Sequence, residues 1–138
     1  MGKSAAKLGD SIVNSADIHI VLVPSGPVLV PTPQPFPFNG KITINTSLNV
    51  RINGRPAATV GSKAINIPPH IPASGMFQVP PTNLGKVLMG SRTVRINRKG
   101  AARMGDICQT CHDIPPVGLQ IPPPRVVIMG VGTVNIGG

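Results

Sequence analysis

The chain repeats itself, and the repeat is cut at both ends. Val50-Arg51-Ile52-Asn53-Gly54-Arg55-Pro56-Ala57-Ala58-Thr59-Val60-Gly61-Ser62 returns 44 residues later as Val94-Arg95-Ile96-Asn97-Arg98-Lys99-Gly100-Ala101-Ala102-Arg103-Met104-Gly105-Asp106, with V-R-I-N, A-A and G in register. Gly40-Lys41-Ile42 lies over Gly85-Lys86-Val87 with one residue of slippage. A third copy is split. Val126-Val127-Ile128-Met129-Gly130 and Thr133-Val134-Asn135-Ile136 supply its first half at the C-terminus, and Ser4-Ala5-Ala6-Lys7-Leu8-Gly9-Asp10 supplies its second half at the N-terminus. Each unit alternates apolar and polar residues with period two and turns at Asn-Gly or its equivalent, so it reads as short strands joined by tight turns. A chain that begins and ends in mid-unit is completed by pairing its N-terminal segment beside its C-terminal one. That closure removes exposed sheet edges, and a pseudo-three-fold ring is suited to the axis of a true trimer.

Composition supports strands and excludes much else. The 16 Gly and 17 Pro are scattered so densely that few ten-residue windows escape them, which disfavours helix. There is no Trp or Tyr and only three Phe, so the core is thin and made of Val, Ile, Leu and Ala. The expected fold class is all-β, one domain over residues 1–138: short strands in three pseudo-symmetric repeats, closed by pairing of the terminal segments. Proline-rich stretches at Val23–Pro37, Ile67–Pro81 and Ile114–Pro124 separate the units. Proline donates no ladder hydrogen bond, so these read as rigid extended loops projecting from one end of the ring and converging there.

Both cysteines lie in Asp106-Ile107-Cys108-Gln109-Thr110-Cys111-His112-Asp113, which spells the C-x-x-C-H of covalent haem attachment. A haem needs a large apolar pocket, for which this chain lacks material. A thioredoxin-like redox pair needs a βαβ context, and no helical pattern is present. Hydrolysis by zinc needs a general base beside an open coordination position, and the acids are only Asp10, Asp17, Asp106 and Asp113, with no Glu. The chain reads as a non-enzyme. No apolar h-region marks a secretory signal and no apolar run reaches the ~20 residues of a membrane helix. The expectation is synthesis in a reducing cytoplasm, where a C-x-x-C more often binds metal than forms a structural disulfide. The formal net charge of +9 is spread singly along strands without interleaved aromatics, so no nucleic-acid partner is expected. A basic nucleic-acid-binding β-domain is the least favoured function.

The A-A-K of Ala5–Lys7, the Arg55-Pro56-Ala57-Ala58, the G-A-A-R of Gly100–Arg103, the Leu8-Gly9-Asp10 and Met104-Gly105-Asp106 that follow, and the G-S-x-T-V-x-I of Gly90–Ile96 resemble the PAAR-repeat family. The run Pro68–Pro81 followed by Thr82-Asn83 resembles the PAAR-like tip proteins of contractile injection systems (type VI secretion, phage-tail-like particles). The resemblance spans the chain. It implies a small β-rich cone with the proline-rich loops at its apex, bound to the blunt end of a trimeric VgrG-like or phage-spike-like β-helical spike. One chain would cap each trimer, contacting the target membrane transiently during piercing. It implies assembly into an injection particle and delivery outside the cell. Coupling effector cargo to the spike is the alternative role. Arg51, Arg95 and Arg103 are candidates for contact with acidic spike ends or a membrane surface.

The family also implies a metal ion, usually zinc, held near the apex by His and Cys. His19 follows the first A-A-x-x-G-D segment, His70 sits in the second proline-rich stretch, and Cys108, Cys111 and His112 follow the third A-A-R-x-G-D. Each unit therefore delivers soft or borderline ligands into its loop, and zinc takes four N/S ligands in a tetrahedron. A thin core gains from such a staple. The resemblance carries over His19, His70 and Cys111. The family pattern has a His in the segment before Pro37-Phe38-Asn39-Gly40, where this chain has Phe36, so the fourth ligand is open. Cys108 is the natural substitute through C-x-x-C, and His112, adjacent to Cys111, is sterically awkward. The expected metal set is His19, His70, Cys108 and Cys111, with Zn2+ or, for such ligands, iron.

Overall fold

The computed structural model describes residues 2–113 and 126–137. Every regular element among them is a strand: β1 Lys3–Ser4, β2 Ser11–Ser25, β3 Val28–Ile44, β4 Arg51–Ile52, β5 Arg55–Pro56, β6 Lys63–Asn66, β7 Met76–Phe77, β8 Leu84–Val87, β9 Arg95–Ile96, β10 Lys99–Gly100, β11 Cys108–Gln109, β12 Val127–Met129 and β13 Asn135–Ile136. No helix is long and apolar enough to cross a membrane.

The three A-A elements meet one another. Ala58 N–H donates to the Ala6 carbonyl (3.0 Å), Ala102 N–H to Ala58 (3.0 Å) and Ala6 N–H to Ala102 (2.9 Å), a closed cycle of three hydrogen bonds. The bridges Ala5↔Arg103, Lys7↔Ala57 and Thr59↔Ala101 surround it. All six alanines are fully buried: a larger side chain here would hold three backbones apart. Three residues past the second alanine, a glycine of positive φ turns the chain at Gly9 (+92°), Gly61 (+93°) and Gly105 (+83°), a conformation that Cβ disfavours. The next side chain closes each turn. Asp10 Oδ2 accepts Lys7 N–H, Ser62 Oγ accepts Thr59 N–H, and Asp106 Oδ2 accepts Arg103 N–H.

On one side of the ring lie three two-stranded pairs. β4 and β5 join through Asn53-Gly54, and β9 and β10 through Asn97-Arg98, with positive φ at all four positions, as type I′ hairpins require. The third pair is β1 with β13, in register Lys3↔Ile136 and Ser4↔Asn135. The termini thus complete the third unit. Ile52, Ile96 and Ile136 cover Ala5, Ala57 and Ala101 from this side as one small apolar cluster.

On the other side runs the sheet β11-β8-β6-β3-β2-β12. Its two ends meet through the bridge Ile107↔Val127 and the bond from Cys108 N–H to the Val126 carbonyl (2.9 Å). Ile12, Ala64 and Cys108, each two residues past a turn, fill it together with Phe38, Ile42, Val87 and Ile128. Phe38, the largest fully buried side chain, lies over Gly40 and Gly85, where a Cβ would come within 2.8 and 3.1 Å of its Cε1.

Two expectations need correction. Not all strands are short: β2 has 15 residues and β3 has 17. The first proline-rich stretch is not a loop, because β2 and β3 pair without interruption from Asp17↔Phe36 to Ser25↔Val28 around a Gly26-Pro27 turn. The prolines are compatible because they alternate: Pro31, Pro33, Pro35 and Pro37 all face solvent, and equal parity puts their missing N–H groups on one edge, where a ladder loses nothing. The second stretch is irregular apart from β7, which pairs with β2 at Val21↔Phe77 and Leu22↔Met76. The third stretch, Ile114–Pro124, lies outside the described residues, so convergence of all three is not described; the first two do pack together.

Candidate metal centre

The site lies where the β2–β3 ribbon leaves the ring. β2 carries a bulge between Asn14 and Asp17, and Asn14 Oδ1 accepts the Ala16 N–H inside it (3.0 Å). The step from Asn14↔Phe38 to Asp17↔Phe36 holds one extra residue on β2, and one extra residue exchanges the faces of a strand. Before the bulge Ile12 and Asn14 point inward; after it Asp17, His19 and Val21 do. Asp17 and His19, two residues apart, therefore share one buried face. His70 comes from the segment after β6, where its own N–H is held by Asn83 Oδ1 (2.9 Å). Cys111 comes from the segment after β11, tied to β2 by the bonds Asp113 N–H to the Ile18 carbonyl (2.8 Å) and Ile20 N–H to Asp113 Oδ2 (2.9 Å).

Asp17, His19, His70 and Cys111 each present one ligand atom, all within 4.8 Å of one another. Asp17 Oδ2 is the hub, 2.8 Å from His70 Nε2, 3.2 Å from Cys111 Sγ and 3.3 Å from His19 Nε2, and Cys111 Sγ is 3.5 Å from His19 Nε2. The other carboxylate oxygen accepts the Thr110 hydroxyl (2.7 Å). Burial alone would raise the pKa of Asp17, but the bonds from His19, His70, Thr110 and Cys111 outweigh it and hold the carboxyl down at about 2. Burial opposes a charge on His19, yet the bond and charge of Asp17 and the charge of Asp113 leave its pKa raised. Burial and the neighbouring Asp17 push the Cys111 thiol up to about 12.

These residues fit a metal. Bonds of ~2.0–2.3 Å in a tetrahedron place neighbouring donor atoms roughly 3.3–3.6 Å apart, and the separations of 3.2, 3.3 and 3.5 Å match within a few tenths of an ångström. The donor set is two imidazoles, a thiol and a carboxylate, and a divalent ion would replace the protons that now bridge them to Asp17. Outer partners are in place. Asp113 Oδ1 lies 3.4 Å from His19 Nδ1, a buried atom that makes no hydrogen bond among the described residues. Asn66 Nδ2 lies 3.3 Å from His70 Nδ1. All three phenylalanines of the chain pack here: Phe36 against both imidazoles, Phe77 against His19 and Phe38 against His70. They form a dry apolar wall, and Phe36 occupies the position where the family pattern has a ligand.

His19, His70 and Cys111 are thus brought together, and Cys108 is not among them. Its Sγ lies in the apolar cluster, 3.6 Å from the Asp106 carbonyl, and burial and the Asp106 charge push its pKa up to about 12. The reason is strand alternation: Cys108 occupies the inward core position of its unit, as Ile12 and Ala64 do in theirs. His112 also lies outside the cluster. Asp17 was missed. The signal was the Asp17-x-His19 spacing, which puts two ligand types on one strand face.

Arg103 is also corrected. It is buried, and its guanidinium bonds Asp106 at 3.0 and 3.1 Å, so it is not free for a partner. Arg51 and Arg95 are exposed.

No curated protein matches the chain. Residues 77–138 match the family described as PAAR motif, a stretch holding the third A-A element, the C-terminal half-unit and Cys111. Residues 77–138 thus carry the PAAR motif, and its A-A turn at Ala101 recurs at Ala5 and Ala57 around one ring of hydrogen bonds.

Proposed function

We propose that this protein is the structural tip of a contractile injection system: one chain caps the blunt end of a trimeric β-helical spike, and a zinc ion on Asp17, His19, His70 and Cys111 ties the proline-rich segments to the ring. The observation that carries the reading is the closed cycle Ala6–Ala58–Ala102. It gives a single chain three equivalent faces about one axis, the symmetry needed to meet a trimer end-on. The ring side bearing β4–β5, β9–β10 and β1–β13 suits the contact because adjacent units are fastened there. Asn53 Nδ2 donates to Thr133 Oγ1 (2.7 Å), Asn97 Nδ2 to Asn49 Oδ1 (2.8 Å), and Ser91 Oγ to the Gly137 carbonyl (2.7 Å). A rigid cap there also covers the open strand ends of a β-helix, which are otherwise prone to association. The cap is made in the cytoplasm and leaves the cell on the particle.

The test is to mix the purified chain with a purified trimeric spike and weigh the complex by light scattering. One chain per trimer is expected, with loss of binding in Arg51→Glu/Arg95→Glu while the fold is retained. Three chains per trimer, or no complex, would overturn the reading.

A further inference from the structure

Past its contact with β7 the β2–β3 ribbon continues with nothing packed on it among the described residues. From Ile18 to Gly40 the sequence holds no Lys, Arg, Asp or Glu, and residues 24–31 are exposed on both faces. Val28, Leu29 and Val30 are 58%, 50% and 43% exposed in succession. Exposed strands are ordinarily protected by charge; this one has none.

Its edges are equally unusual. In the register Ile18↔Pro35, Ile20↔Pro33, Leu22↔Pro31 and Pro24↔Leu29, these residues turn their backbone groups away from the partner strand. Ile20 N–H bonds Asp113 and the Ile18 and Ile20 carbonyls accept from Asp113 and Gln78, which fixes that parity as outward. Prolines therefore hold three of the four outward positions on β3, and Pro24 the last one on β2. Among the paired residues beyond the β7 contact, only Leu29 has an outward N–H. Backbone groups that cannot reach water bar a sheet edge from lipid, and here the outward donors are reduced to the Leu29 N–H.

We infer that the Pro24–Pro31 end of this ribbon inserts into a lipid bilayer. Proline alone would explain a blunted edge. It does not explain three consecutive exposed aliphatic residues, or exposure on both faces at once: a protein groove covers one face, whereas lipid surrounds. The outward carbonyls remain and need water, so insertion stops near the headgroup–acyl boundary, roughly 5–10 Å deep, the reach of two or three strand residues at ~3.3 Å each. The inference deepens the tip reading and rests on it for the direction in which the ribbon travels.

The chain has no Trp, so Leu29→Trp makes a single fluorescent probe. Phosphatidylcholine vesicles carry no net charge and remove attraction due to the basic body. The expected result is a blue-shifted emission on vesicles, quenched by lipids brominated near the headgroup. Leu48→Trp, fully exposed past the opposite end of β3, should keep its aqueous emission. Leu29→Glu should lower vesicle partitioning of the otherwise unaltered chain about tenfold or more, with an unchanged circular dichroism spectrum. Unshifted Leu29→Trp emission on vesicles overturns the inference, as does an equal shift at Leu48, or a shift produced only by a protein partner. Spike capture by Leu29→Trp is scored in parallel: capture without lipid insertion removes this inference alone, and insertion without capture removes the tip reading alone.

Discussion

The two cysteines of C-x-x-C should separate completely under substitution. Cys108 is 5% exposed within the apolar cluster. Cys108→Ser puts a hydroxyl among Ile12, Val126 and Ile128, a burial that costs about 1–3 kcal/mol when poorly bonded. At about 3–5 °C per kcal/mol for a chain of this size, the melting temperature should drop by a visible margin, with and without metal. Cys111 is only half-buried, but its Sγ belongs to the donor group around Asp17. Cys111→Ser should melt near the parent in chelator. What it should lose is the zinc increment, which for free zinc at a thousand times Kd is about 4 kcal/mol. The assay is thermal unfolding of both variants and the parent, each in chelator and in excess zinc. The expected pattern is a lowered curve with the zinc increment intact for Cys108→Ser, and an unlowered curve with the increment gone for Cys111→Ser. Loss of the increment in Cys108→Ser with a normal metal-free stability would refute the reasoning.

Three other perturbations test the ring and the site. Asp17 has its pKa depressed from 3.8 to about 2, so its contribution is present above about pH 4 and lost as pH falls through 2; in chelator it amounts to about 2 kcal/mol, and acid titration of Asp17→Asn should lack that step. Asp106→Ala strands the buried Arg103 guanidinium and should cost about 3–5 kcal/mol by urea unfolding, whereas Arg103→Thr/Asp106→Ser, the pair that Thr59 and Ser62 form in the second unit, should recover most of it. Gly40→Ala places a Cβ 2.8 Å from Phe38 Cε1 and 3.1 Å from Ala64 Cβ; it should cost about 1–3 kcal/mol and be partly relieved by Phe38→Leu.

The ring was legible because it is written in backbone requirements. Ala at Ala5, Ala57 and Ala101, glycine at Gly9, Gly61 and Gly105, and a closing Asp or Ser leave few substitutes, so spacing alone reveals them. The split third unit was readable for the same reason, and β1 pairs with β13 as it implies. The ribbon was not legible, because proline was weighed as a residue type and not by parity. Pro31, Pro33 and Pro35 exclude a central strand but permit an edge. The fourth member of the site was hidden by the bulge: with period two counted from Ile12, Asp17 and His19 fall on the solvent face, and only the one-residue slip before Asp17 turns them inward. Cys108 misled because C-x-x-C draws attention to both sulfurs. Set against Ile12 and Ala64, it is the core residue of its unit.

The central claim is that one metal is held by Asp17, His19, His70 and a single sulfur. Zinc-edge X-ray absorption, with elemental analysis, on untagged protein purified without chelator tests it most directly. The account expects about one zinc per chain, with one sulfur at ~2.3 Å and three nitrogen or oxygen neighbours at ~2.0–2.2 Å. Two sulfurs in the shell would place Cys108 at the metal and contradict the core position assigned to it. A protein that takes up no zinc would leave Asp17, His19, His70 and Cys111 a buried hydrogen-bond cluster and nothing more.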